Sequence, residues 1–367
     1  MVHEPPLGCT KDDLDTPALC VDLDVMEANI AAVAKSCREA GVAWRPHAKG
    51  HKNASIAHRQ LAAGAIGVTC AKLGEAEAMA RAGIRDLLIA NQIVGSKKLA
   101  RLSALRRVAD PIVCVDHREQ LEPLAAAMAG AGESARVLVE VDLGMNRAGV
   151  APGNAVVELA QLVDRLPGVE LAGVMGYEGH LLAVADQREK RARIGEALGM
   201  LVESANALRR AGLPCPIVSC GGTGSYTIAT QQPGITEVQA GGAIFMDAFY
   251  RHECALAELN FALTVLTTVV GRPARERAII DAGRKTLNIE VRKPLVVGRR
   301  GVEVDRLSAE HGQLHVSAEA DELRIGARIE LVPGYADLTV MLHDRLYGFR
   351  RGRLEAILPV ESRGVVW

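Results

Sequence analysis

Short apolar runs alternate with amphipathic, Ala-rich stretches from Pro17 to about Phe245. The runs include PALCVDL (17–23), IGVTC (66–70), LLIAN (87–91), PIVCV (111–115), VLVEV (137–141) and LAGVMGY (171–177). Between them, VMEANIAAVAKSCREAG (25–41), GEAEAMARAG (74–83) and NAVVELAQLVDRL (154–166) repeat their apolar positions at helical spacing. Strand and helix alternating this often predict a parallel sheet covered by helices. About eight such units over roughly 230 residues fit a (β/α)8 barrel of the α/β class, with its chemistry at the C-terminal ends of the strands. A doubly wound open sheet is the competing architecture, but no GxGxxG follows the first strand. Past Cys254 the pattern changes: ALTVLTTVVGR, ERAIIDAG, LRIGARIELVP and TVMLHDRLYGFRRGRLEAILPV read as strands joined by turns. The expected organisation is an N-terminal arm (1–16) packing on the β domain, a barrel (17–254) and a C-terminal β domain (255–367).

Composition narrows the function classes. The 367 residues carry 43 Lys plus Arg against 44 Asp plus Glu, a formal net charge of -1. That balance gives no general attraction for nucleic acid or an anionic membrane. Aromatic residues are 3% of the chain, too few for a base-stacking platform. The eight cysteines, at 9, 20, 37, 70, 114, 215, 220 and 254, form no CxxC pair and read as reduced, mostly buried thiols. The opening MVHEPPLGCTKDDLDTP lacks the basic and apolar regions of a secretory signal, and no run reaches the roughly 18 apolar residues of a membrane span. A cytoplasmic protein is the expectation.

Two segments concentrate chemistry. Arg45-Pro46-His47-Ala48-Lys49-Gly50-His51-Lys52 follows the extended run Val42-Ala43-Trp44, so it should lie at a strand's C-terminal mouth. Two lysines and two histidines crowded there would repel if all were charged, which favours a neutral, nucleophilic amine; a solvated basic turn fits the spacing as well. Cys220-Gly221-Gly222-Thr223-Gly224-Ser225 follows Pro216-Ile217-Val218. Its glycines let backbone N–H groups approach one phosphate, and Thr223 and Ser225 add hydroxyls. It lacks the lysine of a nucleotide P-loop, so it suits a small fixed phosphate, or it is a plain turn. Gly241-Gly242 could form a second wall. Arg147 and Tyr177 lie just beyond strand ends, and either could equally be structural. The ten histidines show no HExxH or HxH spacing of a zinc site.

Together these residues resemble the D-threonine aldolase and D-serine dehydratase-like family, which has the alanine racemase-type fold and uses pyridoxal 5'-phosphate. The resemblance spans LDTPALCVDLDVMEANI, RPHAKGHK, TCAKLGEAE, DLGMNRAGV, SCGGTGSY, QAGGAIFMDAFY, LHDRLYGFRRG and LPVESRG. It implies that Lys49 is the Schiff-base lysine, that Gly222 and Thr223 cradle the phosphate, and that Tyr250 touches the cofactor. Arg147 and Tyr177 would then flank the cofactor ring, and Lys72 and Ser204 would be further polar contacts. One stretch departs from the family. Members that use a divalent metal present His-Cys-Asp or His-x-Cys after a proline in the last domain; here Pro333-Gly334-Tyr335-Ala336-Asp337 keeps Asp337 but puts Tyr335 and Ala336 in place of His and Cys. A lone carboxylate and a phenol are poor Zn or Mn ligands, so no metal is expected. Many aldolases of the family also carry His after the barrel tyrosine, where this chain has Glu178.

The implied function is a lyase acting on a β-hydroxy D-amino acid, with Tyr335 and Asp337 as catalytic partners of Lys49, in a homodimer. An amino-acid racemase using Lys49 and Tyr335 as opposed bases is the alternative. A non-catalytic cofactor carrier would keep Lys49 and the glycine turn, but such carriers are usually a bare barrel.

Overall fold

The structure is a computed structural model describing residues 4–320 and 322–367. The chain divides into two compact units. One runs to Ala31 and resumes over Gly242–Arg363; the other comprises Ala32–Gly241 with Gly364–Trp367. A strand, β1 (Ala18–Asp22), leads into a long helix, α1 (Leu23–Glu39). The barrel unit then follows as strands β2 (Ala43–Trp44), β3 (Val68–Cys70), β4 (Asp86–Gln92), β5 (Asp110–Val115), β6 (Ala135–Val141), β7 (Val169–Gly176), β8 (Ile217–Cys220) and β9 (Glu237–Val238). Between them stand α2 (Ala54–Ala62), α3 (Leu73–Arg81), α4 (Ser96–Arg106), α5 (Arg118–Gly130), α6 (Asn154–Arg165), α7 (Gln187–Arg210) and α8 (Tyr226–Ala229). The outer helices are built as the periodicity requires: α6 buries Val156, Leu159, Ala160 and Val163, one stripe at helical spacing.

All eight strands are parallel, in the order β2-β9-β8-β7-β6-β5-β4-β3. The ends of that order meet. Ile66 N donates to Trp44 O and Thr69 N to Pro46 O, each at 2.9 Å, and His47 bridges Thr69 in parallel. Leu88, Ile112, Cys114, Leu138, Ala172 and Met175 form a buried cluster of strand side chains. Another layer is ionic. Arg45, 2% exposed, reaches Asp86 at 2.7 Å and Glu237 at 3.2 Å, while Arg136 pairs with Asp86 at 3.2 Å and Asp110 at 2.6 Å. Burial opposes the Arg45 charge, but Glu237 and Asp86 outweigh it and hold the guanidinium more firmly protonated than usual.

In the second unit, α9 (Ala248–His252) precedes β10 (Leu263–Ala274), β11 (Arg277–Ile280), β12 (Leu295–Val296), β13 (Val302–Leu307), β14 (Gly312–Val316) and β15 (Arg328–Val332). A short helix, α10 (Ala336–Val340), and the hairpin β16 (Arg345–Arg350) and β17 (Arg353–Pro359) complete it. The sheet runs β13-β14-β11-β10-β1-β16-β17, with β15 also on β10 and β12 on β15. This corrects the expected boundaries. The apolar run at 17–23 is not a barrel strand: β1 pairs antiparallel with β10 and parallel with β16. A fully apolar run reads alike in a barrel and in the middle of any two-sided sheet, so periodicity alone could not place it. The second unit likewise begins again at Gly242 rather than at 255, and it contains a helix, α10, that its strand-like pattern did not announce.

The arm is tied to this same sheet. Lys11 Nζ lies 2.6 Å from Glu330, Gly8 N donates to Leu354 O at 2.8 Å, and Leu14 is buried with Ala18, Cys20, Leu266, Phe349 and Leu354. Residues 1–3 of the arm lie outside the described residues. Among the described residues no helix is long and apolar enough to cross a membrane.

The ionic layer yields a stability prediction. Arg45→Ala leaves Glu237, 2% exposed, as an uncompensated buried acid. The expected loss is about 3–5 kcal/mol of unfolding free energy, measured by urea denaturation. A loss well under about 1 kcal/mol would show that the pair contributes no more than a surface one.

Candidate active site

Lys49 lies in the 3-10 turn Ala48–Gly50, directly after the strand that closes the barrel. Its place is fixed by backbone on both sides. His47 N donates to Gln239 O at 3.1 Å, and the same residue bridges Thr69. Gly241 makes this possible: a Cβ there would stand 2.1 Å from His47 O, so any side chain would push the turn away. His47 Nδ1 accepts from Lys49 N at 3.3 Å, and His51 Nδ1 accepts from Asn53 N at 3.1 Å. Burial, followed by Lys49, Lys52 and His51, holds the His47 imidazole well below its ordinary value; burial brings His51 to about 4. Lys52 pairs with the buried Glu75 at 3.2 Å. The crowding seen in the sequence is thus relieved by two neutral imidazoles and one acid partner. Among the described residues the Lys49 ammonium has no carboxylate within ion-pair distance, which leaves its amine available. Lys72 follows β3 and heads α3, at the same C-terminal end of the barrel.

The glycine turn of β8 faces the end of β7. A Cβ on Gly222 would lie 3.2 Å from the Tyr177 ring carbon and from its phenol oxygen, and Gly179 closes on the opposite ring edge. The Arg147 guanidinium stands 5.6 Å from the Tyr177 ring centroid and 4.0 Å from Glu140. Arg147, Tyr177 and Gly222 therefore form one continuous wall at the barrel mouth, with Thr223, 3% exposed, next in the turn. Behind it Glu178 is fully buried and accepts from the Ser225 hydroxyl, whose oxygen accepts from Gly222 N at 3.2 Å. Burial raises the Glu178 carboxyl, against the Ser225 hydrogen bond. Burial also raises Glu140, against a 2.5 Å hydrogen bond from Gln92. Ser204 is a correction. It sits in the C-terminal half of α7, which descends from the mouth in the outer layer, and its hydroxyl donates to Met200 O at 2.8 Å. The structure does not bring it to the mouth.

Tyr250, Tyr335 and Asp337 gather in the other unit. Phe249, Tyr250 and Tyr335 pack edge to face, with centroids 5.5–6.0 Å apart. The Tyr335 phenol donates to Asp337 Oδ2 at 3.1 Å, and Asp337 Oδ1 is buried with no hydrogen-bond partner among the described residues. Gly242 gives Tyr250 room, since a Cβ there would lie 3.1 Å from its phenol oxygen. Asp247 joins the two helices that carry these rings, accepting from Tyr250 N and from Ala336 N at 2.8 Å each. Burial pushes its carboxyl up to about 7. Sequence reasoning passed over Asp247, Glu75 and Glu140, and it named Glu178 and Ser225 without pairing them. The available signal was acidic residues inside otherwise apolar stretches, as in Phe245-Met246-Asp247-Ala248.

Comparisons with known proteins show the family. The family model "Alanine racemase, N-terminal domain" matches residues 21–248, and "Putative serine dehydratase domain" matches residues 262–349. The chain is 40% identical to a D-threonine aldolase of Arthrobacter sp over 96% of its own length and 93% of that protein's. The solved structure of D-threonine aldolase from Filomicrobium marinum superposes with a TM-score of 0.95 at 39% identity, covering 99% of this chain and 100% of that one. D-threo-3-hydroxyaspartate dehydratase from Delftia sp. HT23 superposes with a TM-score of 0.88 at 31% identity, over 95% of this chain and 98% of that one.

The Asp247 joint carries a pH prediction. The carboxyl titrates near its ordinary value when unfolded and at about 7 when folded, so the folded state binds the extra proton between those values. Stability from this group is complete below the unfolded pKa and declines as pH rises toward 7. Unfolding free energy measured against pH should show that decline in the wild type and lose it in Asp247→Asn.

Proposed function

Because the chain belongs to the D-threonine aldolase and D-serine dehydratase-like family, on the alanine racemase-type barrel, we propose that it is a pyridoxal-phosphate-dependent lyase acting on a β-hydroxy D-amino acid, by retro-aldol cleavage or by dehydration. The observation that carries this is the Lys49 amine, held at the barrel mouth without a carboxylate partner among the described residues, on the same rim as the Arg147–Tyr177–Gly222 wall.

The residues present fit the cofactor. An aldehyde needs an uncommitted amine, which Lys49 offers. A flat ring needs an aromatic and a cationic neighbour, which Tyr177 and Arg147 offer. A phosphate needs a turn without side chains in its way, and at Gly222 a Cβ would crowd Tyr177 at 3.2 Å. Lys49 would hold the aldehyde, Gly222 and Thr223 the phosphate, with Lys72 and Tyr250 as further contacts. Pyridoxal 5'-phosphate would supply an electron sink for bond breaking at the substrate Cα.

The chain's own residues account for the rest. Tyr335 takes the place of the family's histidine, and its phenol is oriented by Asp337 at 3.1 Å. A phenol so held can hold or protonate the substrate's β-substituent without a divalent metal. The active form is proposed to be a homodimer; an active monomer found by size measurement at working concentration would contradict that.

Lys49 gives the primary test. Borohydride should trap the cofactor on Lys49, and Lys49→Ala should lose at least about three orders of magnitude in rate. Label found on Lys52 instead would overturn the assignment. Metal dependence gives a second test. Chelation should leave activity intact, whereas Tyr335→Phe should lower the rate about a hundredfold or more while the cofactor stays bound. Activity abolished by chelation and restored by manganese would remove the proposed role of Tyr335. Product analysis on D-amino acids, reading aldehyde, ammonia and optical rotation, separates cleavage from elimination and from racemisation.

A further inference from the structure

Glu178 has no role in the chemistry described above, yet it is fully buried directly behind the glycine turn. Its Oε1 accepts from Ser225 Oγ, and its Oε2 has no hydrogen-bond partner among the described residues. Ser225 Oγ in turn accepts from Gly222 N at 3.2 Å and lies 3.5 Å from Gly222 O. Gly221, with φ +74°, keeps the turn close: a Cβ there would stand 3.7 Å from Ser225 Oγ and 3.8 Å from Glu178 Oε1. Tyr177 braces Gly222 from the other side. Two consecutive residues at the end of β7 thus clamp one turn between a ring and a carboxyl.

An ionised Glu178 would place a buried negative charge two hydrogen bonds from Gly222 N. A phosphate held by Gly222 and Thr223 would add a second charge of the same sign. Like charges in a water-poor site disfavour joint ionisation, and among the described residues no cation acts on Glu178 to offset them. The titratable group that faces it is Cys220, at the end of β8, and burial holds that thiol well above its ordinary value, so it stays neutral.

We propose that Glu178 is a positioning residue for the glycine turn, acting through Ser225, and that an anion occupies the turn with this acid neutral, so that binding takes up one proton. This rests on reading Gly222 and Thr223 as the phosphate site. The proton comes from solvent and adds to the Glu178 carboxylate. The acid then donates to Ser225 Oγ, and the serine hydroxyl turns to Gly222 O. Both arrangements use oxygens already in place, so the turn need not move. The carboxyl is already raised by burial before any anion arrives, which reduces the cost of protonation.

Linkage fixes the direction. A bound anion raises the Glu178 pKa further, so protons are taken up on binding between the free and bound values, and affinity falls as pH rises through that window. The test uses the full chain stripped of cofactor, with inorganic phosphate and pyridoxal 5'-phosphate as probes, from about pH 5 to about pH 8. Inorganic phosphate removes imine formation at Lys49 from the comparison. Wild-type affinity for both probes should fall more steeply with pH than that of Glu178→Gln, by up to about tenfold per pH unit within the window. The glutamine keeps an acceptor without a charge, so its affinity should match the wild type at the acidic end and exceed it at the basic end. Ser225→Ala, which breaks the link to Gly222, should weaken binding at every pH. Thr223→Val should weaken both probes about ten- to hundred-fold. If Thr223→Val changes nothing, the turn is not the phosphate site and both readings fall. If it weakens binding while Glu178→Gln follows the wild-type profile, the phosphate reading stands and the role of Glu178 is overturned.

Discussion

A two-residue strand closes this barrel, and the buried Arg45 guanidinium is what holds it there. β2 pairs with β9 through Ala43 and Trp44, and the backbone contact continues past the strand, from Arg45 N to Val238 O and from His47 N to Gln239 O. Arg45 extends its grip sideways, to Glu237 on β9 and across to Asp86 on β4, while its own carbonyl accepts from Thr69 on β3 at 2.9 Å. One residue thereby joins both edges of the sheet that would otherwise be open. The turn bearing Lys49 begins three residues later, so its position follows from that closure. A buried ionic anchor is costly to break and sensitive to angle, and this suits a site whose nucleophile must be placed to within fractions of an ångström.

The mouth of the barrel handles charge by a consistent method. Histidines that could repel Lys49 are kept neutral by burial; Lys52 is given Glu75; Arg147 is set between an aromatic face and Glu140. Each of these four groups is neutral or paired, and the Lys49 amine itself is left uncommitted. The aromatic cluster of the other unit is polar in a different way. There Asp247 spends both carboxylate oxygens on backbone N–H groups of α9 and α10, fixing the rings of Tyr250 and Tyr335 relative to each other.

The legible part of the sequence was the repeated unit. Five of the six apolar runs named at the outset, with the short Val42-Ala43-Trp44 before RPHAKGHK and Pro216-Ile217-Val218 before the glycine turn, became seven of the eight barrel strands. The glycine turn and the residues just past β6 and β7 lie together as their strand-end positions implied. Three things were not legible, each for a physical reason. The run at 17–23 satisfies the burial of either sheet, and only its partners distinguish them. Ser204 matches a polar position along the chain, but its helix carries it away from the mouth and its hydroxyl is satisfied by Met200. The acids of the site, Glu75, Glu140, Glu178 and Asp247, are buried singly, and a lone charged letter gives no sign of the partner that tolerates it.

The membership of β1 has a consequence for how the molecule is made. This strand is synthesised before all eight barrel strands, and it pairs with β10 and β16, which both come after them. While the ribosome is still producing the barrel, β1 is an apolar segment whose sheet partners have not yet been made. Its neighbour β10 arrives only after all eight barrel strands, and β16 later still. The barrel unit can therefore condense first, whereas the sheet around β1 must await the segment that follows the barrel. A fragment cut after the barrel would carry an orphan strand at its head, and a fragment comprising only the later residues would lack the central strand of its own sheet. The segments on either side of the barrel are thus bound into a single folding event, which makes the sequence order of the domains a poor guide to where the protein can be divided.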